Sequence, residues 1–362
     1  MIKTDTGFLA VGTASDFEAA CVDDASQGRV WSSLDGLAWT AQPDEAFAQT
    51  ELTMLFAGPD GALYVLGVTG AVDNPLPCLS GGRSAGTNIW RSTDAGSGWT
   101  LLPQSPALSQ AVVYSVALAA DTIVLGGWQT GTDDFDHAAA WSSTDGQTWT
   151  AAVLPPNAPH LILLAARDNV VVGFADDAEY PLAWISRDAG QNWYEESIDL
   201  DVEVDTDFSI AVEDVLATAT GYAAVGDGCC LGAAELVPLS FTSADGTQWQ
   251  ASLVGGERTE AMRRMAPIPD GLLAVGVETF FSDGGDTSAL GGRSWLSADG
   301  SVWLRGPDFA ELGDGDVTAL AVGAEGAVVA GSSFTDAVEG STDTGLRIWY
   351  APLSAFPISP SH

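Results

Sequence analysis

One phrase recurs six times along the 362-residue chain and limits what the chain can fold into. In its clearest form it reads "WSSTDGQTW", from Trp141 to Trp149, with a serine, an aspartate and a glycine between two tryptophans. The other copies read "WSSLDGLAW" (31–39), "WRSTDAGSGW" (90–99), "WISRDAGQNW" (184–193), "FTSADGTQW" (241–249) and "WLSADGSVW" (295–303). Such self-similarity indicates a chain built from copies of one supersecondary unit.

A second repeated phrase is a short apolar run that ends in or next to glycine, which is typical of a buried strand. Its seven copies read "GFLAVG" (7–12), "ALYVLG" (62–67), "TIVLGG" (122–127), "NVVVGF" (169–174), "GYAAVG" (221–226), "GLLAVG" (271–276) and "GAVVAG" (326–331). A variable loop and an aromatic strand follow each run. Most units also have an apolar strand before the run and a Trp-led strand at the end. The unit is therefore four antiparallel strands, A to D.

The serines of the six boxes lie 43 to 59 residues apart, which is the length of a four-stranded repeat. A repeat of this kind predicts an all-β, seven-bladed β-propeller in one domain at residues 1–351, with almost no helix. Residues 352–362 remain as a C-terminal tail. Because "FPISP" contains two prolines, we expect this tail to be a closing edge strand or coil.

The bracketed phrase is expected to be the turn between strands C and D. Glycine supplies a backbone position with φ > 0, and the aspartate accepts N–H groups within the turn. We therefore assign a structural role to the box aspartates, which are Asp35, Asp94, Asp145, Asp188, Asp245 and Asp299.

The pattern S-x-D-(x)-G-x-x-W resembles the Asp-box, or BNR repeat, of the sialidase superfamily, over nearly the whole chain. Similar boxes occur in xyloglucanase-type glycosidases, sortilin-type receptors and photosystem II assembly propellers, so the resemblance implies a fold and no single activity. Sialidases place an aspartate acid/base after the first B strand, where this chain has Asp16. The chain departs from that family because no R-I-P motif or Tyr–Glu pair is evident. Tyr114 and Tyr180 are the only tyrosine candidates.

The charge balance excludes some partners. The chain has 49 acidic and 12 basic residues, a net charge of −37, and Lys3 is its only lysine. Nucleic-acid binding needs a basic surface, so nucleic acid is not expected as a partner. No apolar run is long enough for membrane insertion. The acidity fits a solubility role, with cation binding as the alternative.

Arginines concentrate where the long B–C loops are predicted, at 13–29, 68–88, 128–139, 175–182, 227–239, 277–293 and 332–347. The set is Arg29, Arg83, Arg293 and Arg347 near strand C, and Arg258, Arg263 and Arg264 near the A strand of blade 6. Such an arc could hold a carboxylate or phosphate, with Arg29, Arg83, Arg263, Arg264, Arg293 and Arg347 as ligand-binding candidates. The alternative is that these arginines neutralise neighbouring acidic residues.

The same loops hold all four cysteines. Cys21 and Cys78 belong to neighbouring blades and are predicted to form a disulfide, which implies an oxidising compartment. Cys229 and Cys230 could form a vicinal disulfide or remain thiols. No cofactor is required, although Ca²⁺ could bind Asp133, Asp134 and Asp136, or Asp283 and Asp286. The alternating segment "DLDVEVDTD" (199–207) is read as a solvated edge, with calcium as the alternative.

These observations favour a non-catalytic extracellular or periplasmic binding or scaffold propeller, whose leader is absent from this chain. A glycan or a protein would bind its B–C loop face. The alternative is a glycoside hydrolase that uses a carboxylate pair on the same face. A third hypothesis is an assembly factor that docks a protein across an arginine-lined channel.

Overall fold

The computed structural model describes residues 1–14, 27–42, 45–69, 86–131, 135–155, 158, 160–175, 181–196, 198–200, 208–230, 233–255, 259–281, 287–309, 316–334 and 344–356. This part of the chain forms a seven-bladed β-propeller of antiparallel blades, as predicted. Its helical content is three short 3₁₀ turns, at Glu45–Phe47, Pro106–Leu108 and Leu353–Ala355. The chain divides into two compact units, one of residues 1–176 and 184–195 and the other of residues 177–183 and 196–362.

The first unit contains blades 1 to 3 and most of blade 4. Blade 1 is β1 (Ile2–Thr4), β2 (Gly7–Ala14), β3 (Gln27–Ser33) and β4 (Thr40–Ala41). Blade 2 is β5 (Thr50–Ala57), β6 (Leu63–Thr69), β7 (Thr87–Ser92) and β8 (Thr100–Leu101). Blade 3 is β9 (Ala111–Ala119), β10 (Thr122–Thr130), β11 (Asp136–Ser143) and β12 (Thr150–Ala151). Blade 4 is β13 (Leu161–Arg167), β14 (Val170–Ala175), β15 (Leu182–Ser186) and β16 (Tyr194–Glu196).

The second unit contains blades 5 to 7. Blade 5 is β18 (Phe208–Ala217), β19 (Tyr222–Cys230), β20 (Ala233–Ser243) and β21 (Trp249–Leu253), and β17 (Ile198–Leu200) pairs in parallel with β21. Blade 6 is β22 (Glu260–Ile268), β23 (Gly271–Phe281), β24 (Thr287–Ser297) and β25 (Trp303–Arg305). The described strands of blade 7 are β26 (Asp316–Val322), β27 (Gly326–Phe334) and β28 (Thr344–Pro352).

The C-terminal tail is described only as far as Phe356. Leu353–Ala355 forms a 3₁₀ turn, and Phe356 packs into the core formed by blades 6 and 7. The closing strand that we predicted would fall partly on residues 357–362, which lie outside the described residues.

The apolar cores lie between successive blades. In the first unit, Leu9 and Val30 of blade 1 pack with Leu63 and Trp90 of blade 2. In the second unit, Val225 of blade 5 belongs to a cluster with buried side chains of blade 6. The apolar runs and the first tryptophans of three boxes, Trp90, Trp141 and Trp295, therefore supply blade-to-blade packing, which is the main source of stability in such a fold.

A β-bulge recurs on the first strand of blades 2 to 7. One residue of that strand has no partner on the second strand, and this residue is Thr53, Tyr114, Ile162, Glu213, Arg263 or Thr318 in turn. A bulge bends its strand and redirects a side chain, and bulges are frequent beside functional sites.

The bulge explains why the apolar runs end in glycine. A Cβ on Gly226 would lie 1.9 Å from the carbonyl oxygen of Ala211, and a Cβ on Gly276 would lie 1.9 Å from that of Ala261. Equivalent overlaps occur at Gly67, Gly127 and Gly331. Blade 1 has no bulge in its register, and there Gly12 meets only the Trp31 ring, at 3.3 Å. Five of the six bulged blades thus have glycine where the bulged strand approaches the second strand, whereas blade 4 has Ala175 at that position, opposite Leu161.

We call the turn that contains the repeated phrase the box turn. In every box turn the serine Oγ accepts a buried N–H from the glycine, at 2.8–2.9 Å. The aspartate Oδ1 accepts exposed N–H groups later in the turn, such as those of Gln147 and Thr148 at Asp145. In four turns the second tryptophan donates its Nε1–H to the glycine carbonyl. The predicted local structure of the six phrases is therefore present.

Candidate functional site

Three of the predicted arginines occupy the same position in three blades. Arg29, Arg293 and Arg347 lie on the third strand, opposite Gly12, Gly276 and Gly331 respectively. We expected these arginines at or near the start of the third strand, and they lie within it, because the second and third strands continue further as hairpins than the sequence indicated. Arg83 and Arg258 lie outside the described residues.

The longer hairpin of blade 5 also places two cysteines on a strand where the sequence predicted a loop. β19 ends at Cys230 and β20 begins at Ala233, so the loop predicted at 227–239 is mostly strand. Cys229 and Cys230 therefore belong to β19. Asp16, Cys21, Cys78, Asp133, Asp134 and Tyr180 lie outside the described residues, as do Asp283 and Asp286, so their roles stay predictions.

Arg263, the bulge residue of β22, is the centre of a cluster of carboxylates in the second unit. Its Nη1 lies 2.9 Å from Glu213 Oε1 and 2.6 Å from Asp227 Oδ2, and its Nε lies 3.3 Å from Asp316 Oδ1. These acids come from the first strands of blades 5 and 7 and from the second strand of blade 5. We call these four residues the Arg263 cluster. One guanidinium thus joins three successive blades.

Burial changes the acidity of this cluster. Asp227 is 6% exposed, and its burial raises the pKa of its carboxyl to about 6, although Arg263 favours the ionised form. Asp214 accepts N–H groups from Met265 at 2.7 Å and from Val215 at 2.9 Å. Burial raises the pKa of Asp214 to about 6 as well, against the opposing charge of Arg264. Two carboxyl groups near Arg263 can therefore gain a proton close to neutral pH.

Arg264 makes a different set of contacts. Its Nε donates to the Thr318 carbonyl at 2.9 Å, and its Nη1 donates to the Glu213 carbonyl at 3.0 Å. These bonds join the backbones of blades 5, 6 and 7, because β22 lies between β18 and β26. Arg264 therefore acts as a backbone connector in the described structure.

A second ion-pair group surrounds Arg293. It contacts Glu278 on β23, Glu260 at 3.5 Å and Asp308 at 3.7 Å. Arg305 contacts the same two acids, with Nη1 at 2.6 Å from Glu260 and Nη2 at 2.7 Å from Asp308. Glu260 is 3% exposed, so two arginines compensate a buried carboxylate.

The contacts of Arg263, Arg264 and Arg293 concern the prediction that the arginines bind a carboxylate or phosphate. Arg263, Arg264 and Arg293 each already contact carboxylate or carbonyl oxygens, whereas Arg29 and Arg347 are exposed. The geometry favours the alternative that the first three neutralise acids and join strands. An anion-binding role for the set stays a prediction.

Sequence reasoning missed an aromatic cluster in the first unit. Tyr114, the bulge residue of β9, is 50% exposed, and its hydroxyl accepts the Trp128 Nε1–H at 3.0 Å. The Trp128 ring lies 6.1 Å from that of His160, which directly precedes β13. Tyr114, Trp128 and His160, the aromatic cluster hereafter, come from two blades. The signal available in the sequence was only a tyrosine on a strand otherwise rich in valine and alanine.

Asp136 is the one residue of the predicted calcium sites that lies within the described ranges. Asp136 accepts a hydrogen bond from the Thr130 hydroxyl at 2.9 Å. Within the described ranges, no group of three His, Cys, Asp or Glu side chains is arranged to hold a metal ion. Of the alternating segment 199–207, only its first two residues belong to a described strand, β17.

Comparison with solved structures supports the fold. The β-propeller domain of the Trilobed protease from Pyrococcus furiosus, with an open velcro topology, matches 97% of this chain and 95% of its own, at 10% identity and a TM-score of 0.51. YCF48 bound to a D1 peptide matches 96% of each chain at 12% identity and a TM-score of 0.48. The GH74 xyloglucanase from Xanthomonas campestris matches 83% of this chain and 45% of its own, at 18% identity and a TM-score of 0.49.

At 10% identity, the match to the Pyrococcus furiosus propeller shows the fold alone and nothing about activity. No family model and no curated protein sequence matches the chain. Among the residues that the structure describes, no helix is long and apolar enough to cross a membrane.

Proposed function

We propose that the chain is a non-catalytic binding or scaffold propeller of the Asp-box type, working outside the cell or in the periplasm. Its partner, a glycan or a protein, binds the face formed by the B–C loops. The observation that carries this proposal is the aromatic cluster of blades 3 and 4, in which Tyr114 is exposed and Trp128 and His160 are half-buried.

The position of the cluster suits a binding surface. Trp128 lies two residues before the end of β10, where the B–C loop of blade 3 starts, and His160 lies where the chain enters β13. Both positions belong to the same end of their blades. Tyrosine and tryptophan combine a large apolar area with a polar atom and dominate binding energies at interfaces.

The hydrogen bond between Tyr114 and Trp128 orients both rings before a partner arrives. A preoriented side chain loses less conformational entropy on binding, which favours affinity. The net charge of −37 disfavours polyanionic partners, so a neutral glycan or a protein surface without strong acidity fits best.

The experiment compares Trp128→Ala and Tyr114→Ala with Tyr194→Ala. Tyr194 lies on β16 in the same unit and is 56% exposed, so it controls for loss of an exposed tyrosine. Binding to an immobilised glycan library and capture of host proteins are measured for each variant. A ligand that the parent and Tyr194→Ala retain, but the cluster variants lose, supports the proposal. Equal retention by all variants contradicts it.

A glycoside hydrolase is the second candidate, because two carboxylates are close together in the Arg263 cluster. Glu213 and Asp227 contact the same guanidinium nitrogen, and retaining glycosidases hold their carboxyl pair about 5 Å apart. The raised pKa of Asp227 suits a general acid.

Mass spectrometry of the incubated glycans tests this candidate. Shortened glycans that disappear with Glu213→Gln and with Asp227→Asn, in folded protein, would establish the hydrolase. Intact glycans with the parent protein would exclude it for the sugars tested. The Cys21–Cys78 disulfide and an optional Ca²⁺ site belong to the same proposal and rest on the sequence.

A further inference from the structure

A polar groove opens at the box-turn end of blades 5 and 6, wholly within the second unit. Its volume is about 830 Å³, within the range of about 300–1,000 Å³ found for small-ligand sites. The B–C loops lie at the opposite ends of these strands, so the groove is separate from the face assigned above.

Two buried aromatic side chains are among the residues that line the groove. Tyr222 and Trp249 are 3% and 0% exposed, and their ring centroids are 6.2 Å apart. The Trp249 Nε1–H donates to the Gly246 carbonyl at 3.2 Å, which fixes the ring. A ligand in the groove would therefore contact aromatic side chains that packing already holds in place.

One side of the groove is formed by β17, the additional strand of blade 5. Ile198 of β17 pairs with Trp249 of β21 in parallel, and Ile198 lines the groove. No other described blade has a fifth strand. The additional strand therefore contributes to the groove at this box turn.

The walls carry hydroxyl and amide groups. Seven serine, threonine and glutamine residues line it, namely Thr218, Thr220, Thr242, Ser243, Gln248, Gln250 and Ser301. Each can donate and accept hydrogen bonds, which is the property needed to recognise a row of hydroxyl groups.

The carboxylates of two box turns add hydrogen-bond acceptors to the groove. Asp245 Oδ1 accepts the Thr247 N–H at 2.9 Å, and Asp299 Oδ1 accepts the Ser301 N–H at 2.9 Å. The Ser301 hydroxyl also holds the pKa of Asp299 below its usual value, so Asp299 stays ionised. Among the residues that the structure describes along the groove none is basic, which disfavours anionic ligands.

We propose that this groove binds a neutral oligosaccharide. The abundance of groups that both donate and accept matches vicinal hydroxyl groups, and the two carboxylates add acceptors for such hydroxyls. A uronic or sialic acid would bring a carboxylate against Asp245 and Asp299, and like charges in contact weaken binding.

The test uses four neutral hexasaccharides, of xylose, mannose and β- and α-linked glucose, in saturation-transfer NMR and calorimetry with the whole chain. Two variants address the groove: Gln248→Ala removes one amide, and Ser301→Trp fills the space. Their controls are Thr148→Ala and Gln147→Trp, because Thr148 and Gln147 hold the corresponding positions in the box turn of blade 3. Melting temperatures establish that each variant is folded.

We expect at least one hexasaccharide to bind, with an affinity about fivefold lower in Gln248→Ala and lost in Ser301→Trp. The controls should bind as the parent does. Failure of all four sugars to bind overturns the proposal, as does binding that both groove variants retain. Loss of binding in Trp128→Ala but not in Gln248→Ala would assign the sugar to the aromatic cluster instead, and would also overturn it.

Discussion

In each box turn the serine and the aspartate hold different parts of the backbone. Ser143 Oγ accepts the buried N–H of Gly146 at 2.9 Å, while Asp145 accepts the exposed N–H groups of Gln147 and Thr148. Buried donors lose most when their acceptor is removed, since water cannot replace it. The serine is therefore the more important of the two for stability.

This difference predicts the outcome of two single substitutions. Ser143→Ala should lower the free energy of unfolding by about 1–2 kcal/mol, because a buried N–H loses its acceptor. Asp145→Ala should cost less, about 0.5–1 kcal/mol, because water reaches the released N–H groups. Urea unfolding measures both. A larger loss in Asp145→Ala than in Ser143→Ala would contradict the assignment.

The glycines at the ends of the apolar runs differ in how strictly they are required. Gly276→Ala should destabilise the protein severely, because the new Cβ would lie 1.9 Å from the Ala261 carbonyl oxygen and both are backbone-fixed. Gly12→Ala is the matched control, since its nearest neighbour is the Trp31 ring at 3.3 Å. Thermal unfolding should show a large decrease in Tm for the first and a small one for the second. Similar decreases would mean that the bulge is not the cause.

The first strands of blades 5, 6 and 7 are joined by polar contacts as well as by apolar packing. The Arg263 cluster and the carbonyl contacts of Arg264 cross from β22 to β18 and β26. Because the carboxylates outnumber the guanidinium, the cluster retains negative charge that burial makes unfavourable. Its protonation state therefore affects the stability of these strands.

Stability should rise as the pH falls from 7 towards 4. The pKa of Asp227 is about 6 in the folded protein, above its ordinary value of 3.8, so the folded state binds the proton more tightly. Its contribution is complete below 3.8 and is lost as the pH rises through 6. Asp227→Asn should reduce this dependence of Tm on pH, with Asp214 responsible for what remains.

The box aspartates should make the protein less stable at strongly acidic pH. Backbone N–H groups of Thr148 and Gln147 lower the pKa of Asp145 to about 2, so its contribution is present above 3.8 and is lost as the pH falls through 2. The maximum in Tm should thus lie at about pH 4, where the contribution of Asp227 is almost complete and that of Asp145 is still present. A Tm that falls steadily from pH 7 to pH 4 would refute the role given to Asp227.

The molecule as a whole carries a net charge of −37, so its stability depends on repulsion among acidic residues as well as on local contacts. Repulsion among acidic residues destabilises a compact state, and salt screens it over about 10 Å at 0.1 M. The described ion pairs are weakened by salt as well, but the chain has only 12 basic residues to form them. Screening of repulsion should therefore be the larger effect.

Raising NaCl from about 0.01 M to about 0.3 M should increase Tm by a few degrees. Differential scanning calorimetry at constant pH measures the change, with an equal osmolality of sucrose as the control for general solute effects. An unchanged or lower Tm in salt would mean that the ion pairs outweigh the repulsion.

The repeated phrases were sufficient to predict the number of blades and the turns between their last two strands. The hydrogen bonds of a box turn join residues at most a few positions apart, as Ser143 and Gly146 show, so eight or nine residues contain the information. The apolar runs were likewise correctly assigned to second strands. Their terminal glycines were seen, but the bulge that requires them was not.

The candidate sites depend on residues that are far apart in the chain. Arg263 meets Glu213, Asp227 and Asp316 across 36 to 53 positions, and Tyr114 meets Trp128 only because a bulge shifts the register of β9. The sequence showed an excess of acids near arginines, but it could not show which acids reach which arginine. Register, bulges and hairpin length are set by pairing between distant strands, and a one-residue shift redirects every side chain that follows.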